Sequence, residues 1–153
     1  MGQARSFINE QVPFARHCGI EVIRLDDSVG EALLPEMSSL ANHVGTQHAG
    51  ALFTVAETAS GACMLGLIGP RFARVTPLAR TASITFRRPA QGPIRASAAS
   101  TSAPSQISEQ LDQDGRSSFS VSVELTDRDD TLVATAEIEW HLRSRTADRR
   151  SGS

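Results

Sequence analysis

Lysine is absent from this chain: all 15 basic residues are arginine. We read that as a codon or lineage bias, without chemical meaning. Cysteine is scarce, with only Cys18 and Cys63. Neither sits in a C-x-x-C or zinc-ligand spacing, which excludes a disulfide framework and the common thiolate metal motifs. Reduced thiols and a cytoplasmic location are the expectation. Cys63 lies in an apolar run and reads as a small core residue, not a nucleophile. Charge of one sign is also lacking: the net charge is -2, so no basic field invites nucleic acid. His17, His43 and His141 show no metal-ligand spacing. The first residues lack the basic region, apolar core and cleavage site of a signal peptide. They read Met-Gly-Gln-Ala-Arg-Ser, which matches the short myristoylation pattern. No polybasic stretch follows to supply a second membrane signal, so no membrane association is expected.

What is present fits one domain. The chain has 153 residues, enough for a core that is stable without disulfides or metals. Phe7 to Cys18 reads as a short helix interrupted by Pro13. Ile20–Leu25 and Val29–Leu34 read as strands around the turn Asp26-Asp27-Ser28. Residues 36–47 read as loop. After Pro77 the pattern is β: Ala79 to Arg88, then Pro89 to Pro93 as a turn, then a strand from Ile94. We expect that strand to bulge near Pro104 and resume from Gln106 towards Gln113, with Asp114-Gly115 as a hairpin turn. Phe119, Val121, Val123 and Leu125 alternate cleanly. Leu132 to Trp140 forms the last strand. Residues 143–153 are polar, basic and without pattern, so the expected domain is 1–142, followed by a disordered tail. One long helix among runs of strands implies an α+β fold, an antiparallel sheet with the helix on one face.

The most unusual stretch is Ala49 to Ile68, apolar all round with a single charge, Glu57. Such a helix is buried. Its three glycines, two threonines, serine and glutamate argue against a membrane span of similar length. A buried carboxylate needs a partner or a raised pKa. Two readings of Glu57 stay open on the residues alone: a structural ion pair or cap, or a base or nucleophile in an apolar pocket. His48-Ala49-Gly50 falls at the helix start, where free N–H groups and the helix dipole can hold the oxygen of a carbonyl under attack. Asn42, in the loop before it, is placed to orient a water or a carbonyl. Glu57 lies about 11 to 13 Å along the helix from that end. One carbonyl cannot touch both points in one subunit. If both act, two antiparallel copies of the helix must lie side by side.

The run from Asn42 through His48-Ala-Gly50 to Glu57 resembles the hallmark of the hotdog-fold acyl-CoA thioesterases, in particular the phenylacetic-acid-degradation type. Ile84-Thr-Phe-Arg-Arg-Pro89-Ala-Gln-Gly92 is similar to that family's strand and Pro-Ala turn. The likeness covers about residues 7 to 142. It implies a curved antiparallel sheet wrapped around the central helix. It also implies a homodimer formed sheet edge to edge, often paired into tetramers, an acyl-CoA substrate and no metal or cofactor. Carried over by position, Glu57 is base or nucleophile and the N–H of Ala49, with that of Gly50, is the oxyanion donor. Asn42 places water or carbonyl, and His48 orders the helix start. The chain departs from the family in reading His-Ala-Gly for the commoner His-Gly-Gly. It also carries a longer polar stretch from Ser100 to Gln113.

Further candidates follow from position. Thr54, Ser60 and Gly61 share the helix face of Glu57, and Thr58 flanks it. Ser60 and Gly61 are carried as substrate-binding candidates. Buried Thr and Ser in helices more often bond back to the preceding turn. Arg87 and Arg88 suit the phosphates of coenzyme A, and Thr81 and Ser83 share a strand face with Arg87. Two other functions compete with thioester hydrolysis: a hotdog hydratase or dehydratase, which depends on a histidine paired with an acid, and a non-catalytic acyl-CoA-binding module.

Overall fold

The structure, a computed structural model, describes residues 2–145. Two short helices open the chain, α1 (Gly2–Gln11) and α2 (Pro13–His17). The break falls where the sequence puts it. Pro13 cannot continue α1 but suits the first position of a new helix. Strands β1 (Glu21–Leu25) and β2 (Val29–Leu34) form a hairpin, and a 3-10 turn, Ser38–Leu40, leads to α3 (Ala49–Ile68). A second 3-10 turn over Gly69–Arg74 precedes β3 (Val75–Phe86) and β4 (Ile94–Ala99). Helix α4 (Pro104–Asp114), β5 (Arg116–Thr126) and β6 (Leu132–Ser144) complete the fold.

The strands make one antiparallel sheet in the order β1-β2-β4-β5-β6-β3. Helix α3 lies across one face of it and packs on β1, β2, β4, β5 and β6. Alternation sorts the sheet residues. Phe119, Val121, Val123 and Leu125 on β5, and Ile138, Trp140 and Leu142 on β6, are buried towards α3. The serines between them face outward and are exposed. The helix sits close because β2 yields at Gly30. A Cβ there would run into the backbone of Ala59 and Cys63, so only glycine fits. Gly66 meets the backbone of Asp26 in the same way. These contacts fix α3 in rotation and height over the β1-β2 hairpin. Although α3 is long and apolar enough to cross a membrane, most of it is buried against the sheet. Cys63 is fully buried, its thiol 3.2 Å from the Ser28 carbonyl and pushed up to about 12 by burial and by the charge of Asp26.

Residues 104–114 correct the expected strand. They form α4, with Pro104 in its first turn and Gly115 as its left-handed stop at φ 68. Asp114-Gly115 is therefore a helix end and not a hairpin turn. Ile107 and Leu111, four apart, supply the buried face, and two apolar residues at that spacing suffice to dock a short amphipathic helix. Strand β6 runs to Ser144, with Arg143 paired to both Arg116 and Thr76. The sheet thus passes the expected domain end at 142. The rest of the expected disordered tail, from residue 146, lies outside the described residues.

Candidate active site

The loop before α3 is tied down by Asn42. Its Oδ1 accepts the N–H groups of Val44 (3.1 Å) and Thr46 (3.0 Å), while Nδ2 donates to Thr46 Oγ1 at 2.8 Å. Gln47 anchors the same loop from below. Its Nε2 donates to the carbonyls of Pro35 and Gly92, at 3.0 and 2.9 Å. His48 is the N-cap of α3: its backbone is extended, and its Nδ1 accepts the N–H of Gly50 at 2.8 Å. The Gly50 donor is therefore spent inside the protein. The N–H of Ala49, at the first helical position, has no intrahelical partner, and Ala49 borders a cavity of about 400 Å³. Asn42, Leu52, Phe86, Arg87 and Arg88 line that cavity as well.

Glu57 lines a different cavity, of about 250 Å³. Gly61, Met64 and Leu65 continue its wall along α3, and Pro77, Leu78 and Ala79 contribute from β3. Trp140 of β6 and Phe7, Ile8 and Val12 near the N-terminus close it. Apart from Glu57 and the Thr58 hydroxyl, the wall is apolar. The Glu57 carboxylate has no hydrogen-bond or ion-pair partner among the described residues. Burial without compensation pushes its carboxyl above the ordinary carboxylate range. No residue borders both cavities.

The remaining candidates divide. Thr54 and Thr58 bond back to the carbonyls of Gly50 and Thr54, each at 2.7 Å, and do not donate to the Glu57 carboxylate. Ser60 is fully buried and lines neither cavity. It donates to the Glu57 carbonyl at 2.7 Å and accepts the indole N–H of Trp140 at 3.2 Å, so it fixes the tryptophan against the helix. Gly61 does line the Glu57 cavity. Thr81 and Ser83 lie on the outer face of the sheet, paired opposite Glu139 and Glu137, and border neither cavity. The expected approach of this pair to the site is thus corrected: α3 and both of its cavities are on the other side. Arg87 and Arg88 do reach the helix-start cavity. The Arg87 guanidinium donates to Thr135 Oγ1 at 3.0 and 3.2 Å. Trp140 and Phe7 are site residues that sequence reasoning missed. Trp140 was legible only as one more apolar position on a strand, and Phe7 as part of a short helix.

A long central helix laid on an open six-stranded antiparallel sheet, with one unpaired carboxylate on its third turn past the cap, defines a hotdog-fold protein of the thioesterase-like kind. The chain belongs to the family described as a domain of unknown function, DUF4442, whose model matches residues 3–142. Among solved structures it is similar to PA5026 of Pseudomonas aeruginosa, described as a probable thioesterase, at 31% identity and a TM-score of 0.81, over 94% of this chain and 95% of that one. It is also similar to a putative thioesterase of Shewanella oneidensis, at 14% identity and a TM-score of 0.79, over 95% of this chain and 100% of the other. The PaaI protein of the Escherichia coli phenylacetic acid degradation operon shares the fold at 19% identity and a TM-score of 0.68, over 91% and 95% of the two chains. No curated protein matches the chain. The likeness to thioesterases supports thioester hydrolysis in general.

Proposed function

We propose that the protein hydrolyses an acyl-CoA thioester to the free acid and coenzyme A, with Glu57 as general base or nucleophile. The observation that carries this reading is the unpartnered Glu57 carboxylate in an apolar cavity. A carboxylate with a raised pKa is a stronger base than an exposed one, and an apolar wall suits an acyl chain. The Ala49 N–H would hold the carbonyl oxygen as it gains negative charge. Arg87 and Arg88, which line the same cavity as Ala49, suit the phosphates of the coenzyme.

The two halves of this machinery are about 12 Å apart along α3, in separate cavities, so the site is completed by a second copy. Strand β3 is where that copy fits. It is the outermost strand beyond β6, 12 residues long and exposed over most of its length. A long unpaired edge is a template for another strand. One end of β3 borders the Glu57 cavity at Ala79, and the other borders the helix-start cavity at Phe86. An antiparallel β3–β3 pair about a twofold therefore brings the Glu57 cavity of one copy to the helix start of the next. Side chains directly opposite must share a face. Beyond the bulge between Ala79 and Thr81, the residues Ala82, Ile84 and Phe86 share the α3 face, so such a pair would have its twofold at Ala82 or Ser83. The active protein would then be a homodimer or a dimer of dimers. A hydratase mechanism is less well served, because the His48 Nδ1 is engaged in the cap of α3.

Free-thiol release from a panel of short, long and aromatic acyl-CoAs, wild type beside Glu57→Gln, tests the activity. Turnover that the substitution abolishes while the protein stays folded is the expected result. No turnover on any member, or equal turnover in both proteins, removes Glu57 from the chemistry and leaves the binding-module reading.

A further inference from the structure

The Glu57 cavity is lined by four parts of the chain: the N-terminal segment at Phe7, Ile8 and Val12, helix α3, the first half of β3 at Pro77 to Ala79, and the indole of Trp140. Its lining runs along α3 from Glu57 through Gly61 to Leu65, a span of about 12 Å. An extended chain covers that distance in about ten bonds, at ~1.2 Å of advance per bond. The volume, about 250 Å³, exceeds the ~150 Å³ of a dry apolar cavity that takes up benzene. Gly61 is what leaves this space open. A Cβ at that position would stand 3.6 Å from the Trp140 ring, in ordinary contact. A small side chain is thus tolerated there, while a large one would fill the gap between Glu57 and the indole. The indole itself is held in place by Ser60, which bonds Trp140 on one side and the helix carbonyl of Glu57 on the other. Phe7 forms the outer wall, half exposed and with its ring tilted against Phe72 at 6.1 Å between centroids.

We propose that this cavity is the acyl pocket and that it selects an apolar acyl group of medium length, up to about ten chain atoms. Gly61 sets access to the pocket and Phe7 sets its outer limit. The assignment rests on the thioesterase reading only for the role of Glu57. The pocket itself stands on its walls. A methylene that enters such a wall improves kcat/KM about fourfold. The rate should climb from the acetyl thioester to a plateau near the length given above, and a phenylalkanoyl thioester of similar length should fall on the same curve.

The test is that series on wild type, Gly61→Leu and Phe7→Ala, with a binding measurement that needs no turnover. Trp140 is the only tryptophan of a chain without tyrosine, so its fluorescence reports this pocket alone. A non-hydrolysable alkyl-CoA thioether brominated at the chain end should quench it in wild type and in Glu57→Gln. In Gly61→Leu the quenching should be lost, and kcat/KM for the longest chains should fall at least tenfold more than for acetyl. Phe7→Ala should move the plateau to longer chains. Quenching without turnover in any protein would sink the hydrolase reading and keep the pocket. Turnover with a flat chain-length profile and no quenching would overturn the pocket and leave hydrolysis standing.

Discussion

At the start of α3 the polar side chains of Asn42 and His48 have partners within the loop and the first turn. About two turns further on, Glu57 has none. The first region is a rigid donor: the N-cap and the loop bonds hold the Ala49 N–H in one direction before any substrate arrives. The second is a carboxylate kept in a poor environment for its charge. Pre-organised donors contribute to catalysis because they need no reorientation when charge develops. An under-solvated carboxylate contributes because its basicity has been raised. Asn42 and His48 are held by their bonds, while the Glu57 carboxylate proposed to react has no partner among the described residues.

Three substitutions put this contrast to the test. The largest effect is expected from Glu57→Gln, which should lower kcat by about 10² to 10⁴, the usual worth of a general base, with the fold intact by circular dichroism. Next is Ala49→Pro. Proline removes the one N–H proposed as oxyanion donor at a position where helices favour it. The preceding His48, at φ -64 and ψ 142, already has the extended backbone that proline demands. A fall in kcat of about 10² to 10³ with an unchanged melting temperature is the expected outcome. His48→Ala should cost about 1 kcal/mol in a urea melt, as for other lost N-caps, with a smaller loss of rate. Its partner, the Gly50 N–H, then faces solvent.

The smallest effect concerns stability and pH. The carboxyl of Glu57 has a higher pKa folded than unfolded, so the folded state binds more protons between the two values. Stability therefore falls as pH rises through that window and is recovered below the unfolded value. Glu57→Gln should raise the melting temperature at neutral pH and lose that advantage in acid. An equal shift at both pH values would show that the wild-type carboxylate carries no burial penalty. The acid limb of the wild-type kcat/KM profile should also lie above the ordinary carboxylate range.

The bounds of α3 were legible because they carry strong punctuation: a polar residue at the cap, an unbroken apolar run and Gly69-Pro70 at the end. The raised carboxylate was legible too, since one charge in such a run has few explanations. Helix α4 was not. Its Pro104 reads equally as a strand break or a first helical residue, and only the pairing of Ile107 with Leu111 against the core decides. That Thr81 and Ser83 fall on the outer face, away from both cavities of their own copy, was not legible because β3 is an edge strand exposed almost throughout. It offers little alternation to read, and its bulge changes the face of every residue beyond it. The Trp140 and Phe7 walls come from contacts between segments far apart in sequence, 80 residues in the case of Trp140 and Ser60, well beyond the reach of local pattern.

The central claim is that Glu57 of one copy works with the helix start of another. It is tested most directly by mixing Glu57→Gln and Ala49→Pro subunits, each inactive alone. In a twofold assembly with shared sites, every mixed dimer holds one intact site, and random exchange should restore about a quarter of wild-type turnover. Turnover in the mixture no greater than the sum of the two variants would contradict the shared site.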